Sequence, residues 1–137
     1  MTSRFYRLLL LVAVLNIWPT AVIAEAEEPI SEVHYLELRP GIIANFDTET
    51  AHPRLLNADI TLQLTSDDDL DTVRKYLVPI RHDLIMMFSG LTSNDTDSGE
   101  KIEALRQRAL ESVQTSLADA GRAAQVNDLL FTKFVTE

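Results

Sequence analysis

Residues 66–91 read SDDDLDTVRKYLVPIRHDLIMMFSGL. The apolar residues Leu70, Val73, Leu77, Ile80, Leu84, Met87 and Leu91 recur at steps of three and four, which places them on one stripe of an α-helix. Ser66, followed three residues later by Asp69, has the sequence form of a capping box. Asp67, Asp68 and Asp69 stand where the helix dipole favours negative charge. Gly90 offers a helix stop. Pro79 is the irregularity: it lacks an N–H and its ring crowds the preceding turn, so the helix is expected to bend or restart there. The bend should divide an exposed, acidic first half from an apolar second half, LIMMF, that enters the core.

Upstream of this helix the pattern changes to that of strands. From Leu56 to Leu64 apolar and polar residues alternate strictly, with Leu56, Ala58, Ile60, Leu62 and Leu64 on one side. This is the mark of a half-buried strand. Before it, VHYLEL from Val33 and IIANF from Ile42 to Phe46 flank a turn at Arg39-Pro40-Gly41, and DTETAHP from Asp47 to Pro53 forms a polar loop. Downstream, TSNDTD from Thr92 to Asp97 is a loop, and Ser98 caps a second helix starting near Gly99. Its stripe is Ile102, Leu105, Ala109, Val113 and Leu117, and Gly121 closes it. The last segment, VNDLLFTKFV from Val126 to Val135, carries apolar residues on both faces, which suits a central strand better than an edge one. The expected class is α+β, a mostly antiparallel sheet covered by a Pro-bent helix and a second helix.

The first residues read differently again. Arg4 and Arg7 precede an apolar run from Leu8 to Trp18, which Pro19 and Thr20 break. Residues 1–24 therefore read as an export signal cleaved between Ala24 and Glu25, with an uncleaved single-pass anchor as the alternative. Residues 25–32 are a short tether, and 33–137 are the domain. The 137 residues carry a formal net charge of −9. Removing residues 1–24 leaves 10 basic residues against 21 acidic. Such a balance argues against nucleic-acid binding, which needs a basic surface. With no cysteine, disulfides and thiol chemistry are excluded.

Little in the chain spells chemistry. His34, His52 and His82 fall on three different elements, and no H-x-x-x-H or C-x-x-C spacing supports a metal site. Asp67-Asp68-Asp69-Leu70-Asp71 resembles the start of a calcium loop, but Thr72 stands where that loop needs glycine and Val78 where it needs glutamate. Capping is the better account. Asn94-Asp95-Thr96 spells a glycosylation sequon, relevant only in a eukaryotic secretory pathway. The heptad-like stripe is too short for a coiled coil and is interrupted by Pro79. With four glycines in all, phosphate-cradling loops lack material, and no nucleophile elbow or carboxylate pair stands out. No cofactor is expected, and the reading is not an enzyme.

The order Tyr35…Pro40…Asn45-Phe46, the strand LLNADITLQL, the stretch VPIRHDLIMMFSGLTSNDTDSGEKIEALR and the ending LLFTKFV together resemble the flagellar basal-body-associated FliL family. The resemblance covers about Val33 to Glu137. It implies a non-enzymatic periplasmic domain with a stomatin (SPFH)-like fold. Such a domain assembles with further copies and with flagellar stator and basal-body proteins, supporting rotation, swimming, swarming and chemotaxis. The family's recurrent positions fall on Tyr35, Pro40, Asn45, Arg81, Asp83, Gly99, Leu105, Phe131, Thr132 and Phe134. Most read as fold-bearing; Arg81, just past the bend, needs solvent or a carboxylate for its charge. The implied location is the bacterial periplasm beside the inner membrane, with membrane association if residues 1–24 are retained. Two departures from the family's pattern are visible. The apolar run is signal-like, and about ten residues, roughly 35 Å of extended chain, separate the end of residues 1–24 from Tyr35. The alternative is a soluble periplasmic module that binds a ligand or envelope component without a motor role, since fold does not fix function.

Overall fold

Among the described residues four strands and three α-helices follow the expected order: β1 (His34–Glu37), β2 (Ile42–Phe46), β3 (Arg54–Leu64), α1 (Asp67–Lys75), α2 (Leu77–Ser89), α3 (Gly99–Asp119) and β4 (Val126–Thr136). The structure, a computed structural model, describes residues 32–122 and 124–137. The expected export signal, its cleavage position at Ala24 and Glu25, and residues 25–31 of the tether lie outside the described residues. The class is α+β.

The sheet is organised on β3. Its first half pairs antiparallel with β2 (Ile42 opposite Ala58, Phe46 opposite Arg54) and its second half with β1 (His34 opposite Leu64, Glu37 opposite Thr61). β1 and β2 thus lie end to end along one edge of β3, interrupted by Arg39–Pro40–Gly41. Leu38 still reaches the Ile60 carbonyl at 2.8 Å, so three residues stand opposite the single Asp59. β4 pairs with the other edge of β3, from Leu64 opposite Val126 to Leu56 opposite Thr136, with irregularities near Asn127 and Thr132. Among the described residues β4 pairs with β3 alone. It is an edge strand and β3 is the central one, which corrects the expectation from its two-sided apolar pattern. The apolar side chains on its second face, Leu130 and Val135, remain exposed.

One face of the sheet meets the helices. Leu36, Ile42, Ala44 and Phe46 point into the core with the five alternating residues of β3, all buried. Against them pack Val73 from α1, Ile80, Leu84 and Phe88 from α2, and Leu105, Ala109, Val113 and Leu117 from α3. Each α3 residue named is 1 % exposed or less, so this stripe is as the spacing predicts; Ile102, at its start, is half-buried. In α2 the buried line is 80, 84, 88, and Leu91 follows it. Phe88, absent from the stripe as read, is fully buried, whereas Met87 is half-buried and Met86 is exposed.

The helix across 66–91 does restart, but at Tyr76 and not at Pro79. α1 ends at Lys75, and Tyr76 (φ −107°, ψ 12°) serves both as its C-cap and as the N-cap of α2. A proline has no N–H to give to the carbonyl four residues back, and its ring excludes that carbonyl. The residue four back from Pro79 is Lys75, where the first helix stops. Pro79 itself sits in the first turn of α2, where a missing N–H breaks no intrahelical bond. At the other end of α1 the Ser66 hydroxyl accepts from the Asp69 N–H (3.2 Å) and donates to its Oδ2 (2.7 Å), the capping role the spacing indicated. α3 closes at Gly121 (φ 68°). Gly121 N–H donates to the Ala118 carbonyl and Arg122 N–H to that of Leu117, the Schellman arrangement that a left-handed glycine permits.

Candidate interaction surface

The face of the sheet turned away from the helices is bare among the described residues. The strand register sets its rows: Ile43, Asn57 and Val135 lie side by side, as do Glu37, Thr61 and Leu130, and Tyr35 stands beside Gln63. Of the eight exposed large hydrophobic residues described, six lie here: Val33, Tyr35, Ile43, Leu55, Leu130 and Val135. Tyr35 is 60 % exposed and Ile43 57 %. The other two, Val78 and Met86, are on α2. A shallow depression of about 230 Å³ opens at one end, bounded by Leu55, Asn57, Lys133, Val135 and Glu137. The exposed apolar residues make the open sheet face the candidate contact surface of the domain.

Arg81 shows what shapes this face. Its guanidinium donates to the carbonyls of Pro40 (2.6 Å) and Gly41 (3.3 Å). Its half-exposed charge keeps access to solvent and adds two backbone oxygens where β1 breaks from β2, with no carboxylate among its described hydrogen-bond partners. Gly41 keeps the approach open there: a Cβ would displace the Asp59 carboxyl and sit a tight 3.2 Å from the Ala58 carbonyl. Across β3, Thr132 occupies the irregularity of β4 and its hydroxyl donates to the Asp59 carbonyl at 3.2 Å. Asp59 therefore faces an extra-residue segment on both sides.

The remaining family-pattern positions are spread over the fold. Tyr35 and Asn45 are on the open face, Asn45 opposite Leu55. Pro40 lies in the interruption. Leu105 is core, and Gly99 begins α3 with open space where a Cβ would be. Phe131 and Phe134 turn toward the helices, their rings 5.1 Å apart, with Phe131 6.2 Å from Phe88. Asp83 lines a groove of about 410 Å³ between α2 and α3 together with Met87, Arg108, Glu111 and Asp119. The structure does not gather these ten residues into one site. His34 has its Nδ1 3.3 Å from Asp67 Oδ1, while His52 and His82 are exposed on a loop and on α2. Among the described residues no three metal-ligating side chains come together.

One network escaped the sequence reading because its partners on β4, Asp128 and Leu129, are 22 and 23 residues from Arg106. The Arg106 guanidinium ties α3 to β4, donating to Asp128 Oδ1 and to the Leu129 carbonyl (2.8 Å), and grips both carboxylate oxygens of Glu103 (2.6 and 2.8 Å). Hydrogen bonds from Arg106 and then Gln107 hold the Glu103 carboxyl down to about 2 from its ordinary 4.5. Asp95 is lowered in the same sense by the Thr92 N–H and hydroxyl. A depressed carboxyl contributes stability that is present above its unfolded value and lost as pH falls toward its folded one, because the unfolded chain binds the extra proton. The melting temperature should therefore fall between about pH 4.5 and pH 2. Glu103→Gln should flatten that fall in a pH series of thermal melts. An unchanged slope would show that the Arg106 bridge contributes nothing to it.

These parts form a two-layer domain with an acidic helical side and an apolar, open sheet side. The family model described as flagellar basal body-associated protein FliL matches residues 35–136. The chain belongs to the FliL family. The match runs from Tyr35 on the open face to the last residue of β4, and so takes in the whole sheet but its first strand residue. FliL membership makes this a flagellar basal-body-associated protein, in an accessory family that is not one of enzymes. A search among curated proteins found no match. No helix among the described residues of this FliL domain is long and apolar enough to cross a membrane.

Proposed function

We propose that this FliL-family chain is a non-enzymatic accessory of the flagellar motor. It acts in the periplasm through contacts with stator and basal-body proteins and with further copies of itself, and it supports rotation, swimming and swarming motility and chemotaxis. In this reading residues 1–24 deliver the chain or anchor it in the inner membrane, 25–32 are a tether, and 33–137 make the contacts. The observation that carries it is the family match over residues 35–136. The apolar open sheet face accords with work done by contact.

Deleting the gene and measuring spreading on soft agar tests it. The expected result is a reduced swimming or swarming ring, restored by the wild-type gene, with a tagged copy localising at flagellar bases. Unchanged motility and diffuse envelope fluorescence would overturn it. Together with a saturable thermal shift by a small ligand, they would favour a periplasmic binding module.

A further inference from the structure

We propose that Met86 and Met87 form a reversible two-step oxidation site, at which the second oxygen loosens the packing of α2 on the core. The chain holds three methionines and no cysteine. Met1 lies outside the described residues, so this neighbouring pair supplies the only sulfur among them. A peroxide that reaches the domain therefore meets no thiol, and the thioethers are its readiest targets.

Consecutive side chains leave a helix about 100° apart, and α2 gives these two different surroundings. Met86 is 61 % exposed and stands clear of the core. Met87 is half-buried, packs against the core and also lines the groove of about 410 Å³ between α2 and α3. Hydrogen peroxide is little larger than water, and an open groove of that size admits it. Both residues can thus be reached, Met86 from open solvent and Met87 from the groove alone.

At either residue the thioether sulfur attacks one oxygen of hydrogen peroxide. The S–O bond forms as the O–O bond breaks, and the departing hydroxide takes the proton of the transferred oxygen and leaves as water. The sulfur is oxidised by two electrons to the sulfoxide, and the peroxide is reduced by the same two. The product is a polar acceptor on a formerly apolar side chain. On Met86 the new oxygen meets water and displaces no core contact. On Met87 it cannot stay against the core, where a polar group without a partner is costly. The groove offers donors instead, for Arg108, Ser112, Thr115 and Ser116 line it with Met87. An unbranched side chain with three rotatable bonds can swing toward them, and in doing so it vacates its place beside the core. Sulfoxide reductases, one for each epimer, reverse the change.

Hydrogen peroxide added to the purified full chain, with tandem mass spectrometry of the peptide that carries both residues, tests the proposal. Met86 should gain its oxygen several-fold faster than Met87, with Met1 followed on a separate peptide. Met87→Leu should oxidise at Met86 and keep its melting temperature. Met86→Leu should oxidise more slowly, at Met87, and its melt should then fall by about 4–8 °C. Reductases of both epimer specificities should restore it. Both leucine variants conserve volume and should fold. Site-resolved spectra and melts of wild type at successive times give the same comparison without any substitution. Equal rates at the two residues, or a melt unmoved once Met87 carries its oxygen, would overturn the proposal. So would an equal fall in oxidised Met87→Leu, or one that the reductases fail to reverse.

Discussion

Phe88→Ala is expected to lower the stability of the domain by about 3–5 kcal/mol, the range for truncating a buried aromatic. Phe88 is fully buried on α2, and its ring lies 6.2 Å from that of Phe131, which in turn neighbours Phe134. The residue therefore joins the helical layer to the far edge of the sheet. Its removal leaves a cavity between elements that cannot both close in. A domain of this size has about 5–15 kcal/mol in all, so the variant should unfold at much lower urea and melt about 15–30 °C earlier. Met86→Ala, two residues away and 61 % exposed, should change stability by no more than about 0.5 kcal/mol. Equal urea midpoints for the two variants would show that α2 does not dock through this residue.

The second large effect is expected at Arg81. Arg81→Met keeps the stem of the side chain and removes both hydrogen bonds to the Pro40 and Gly41 carbonyls. Bonds to a charged donor are worth about 1.5–3 kcal/mol when shielded. The Pro40 contact is exposed, so screening brings the expected loss to about 1–2 kcal/mol. Arg81→Lys should recover only part of it, because an ammonium cannot span two carbonyls as a planar fork does. Hydrogen exchange gives the sharper reading: the amides of Leu38 and Ile42, on either side of the interruption, should exchange faster in Arg81→Met. If those amides keep their protection, the clasp is not what holds β1 and β2 in line.

How much of this was legible beforehand depended on whether a residue's neighbours were local. The alternation of β3, the stripe of α3 and the Ser66 cap each follow from a period or a spacing of three. All three appear as read. The restart near Pro79 was legible as an event but not as a position: the proline's effect falls on the carbonyl of Lys75, so the chain breaks at Tyr76. Phe88 was missed because a line of 80, 84, 87 and 91 fits the sequence as well as 80, 84, 88. Only the sheet beneath decides between Met87 and Phe88. The misjudged place of β4 has a similar cause. Apolar residues on two faces indicate two buried faces only when something covers the second, and Leu130 and Val135 are left open here. The Arg81 clasp and the Arg106 bridge join residues 22 to 41 positions apart, beyond any local pattern.

The pairing of β3 with β4 also sets the tempo at which the domain assembles. Leu64 meets Val126 and Leu56 meets Thr136, so the longest ladder in the sheet closes loops of about 60–80 residues, each at an entropic cost before any bond is formed. Helices α1 and α2 can settle on β1, β2 and β3, which they contact directly, but α3 packs against β4 and lacks that part of its surface until the closure occurs. Chains governed by such distant pairings fold in about milliseconds to seconds, not microseconds. For most of that interval one whole edge of β3 has no partner strand, and the newly made chain is then most open to binding by a chaperone or to aggregation.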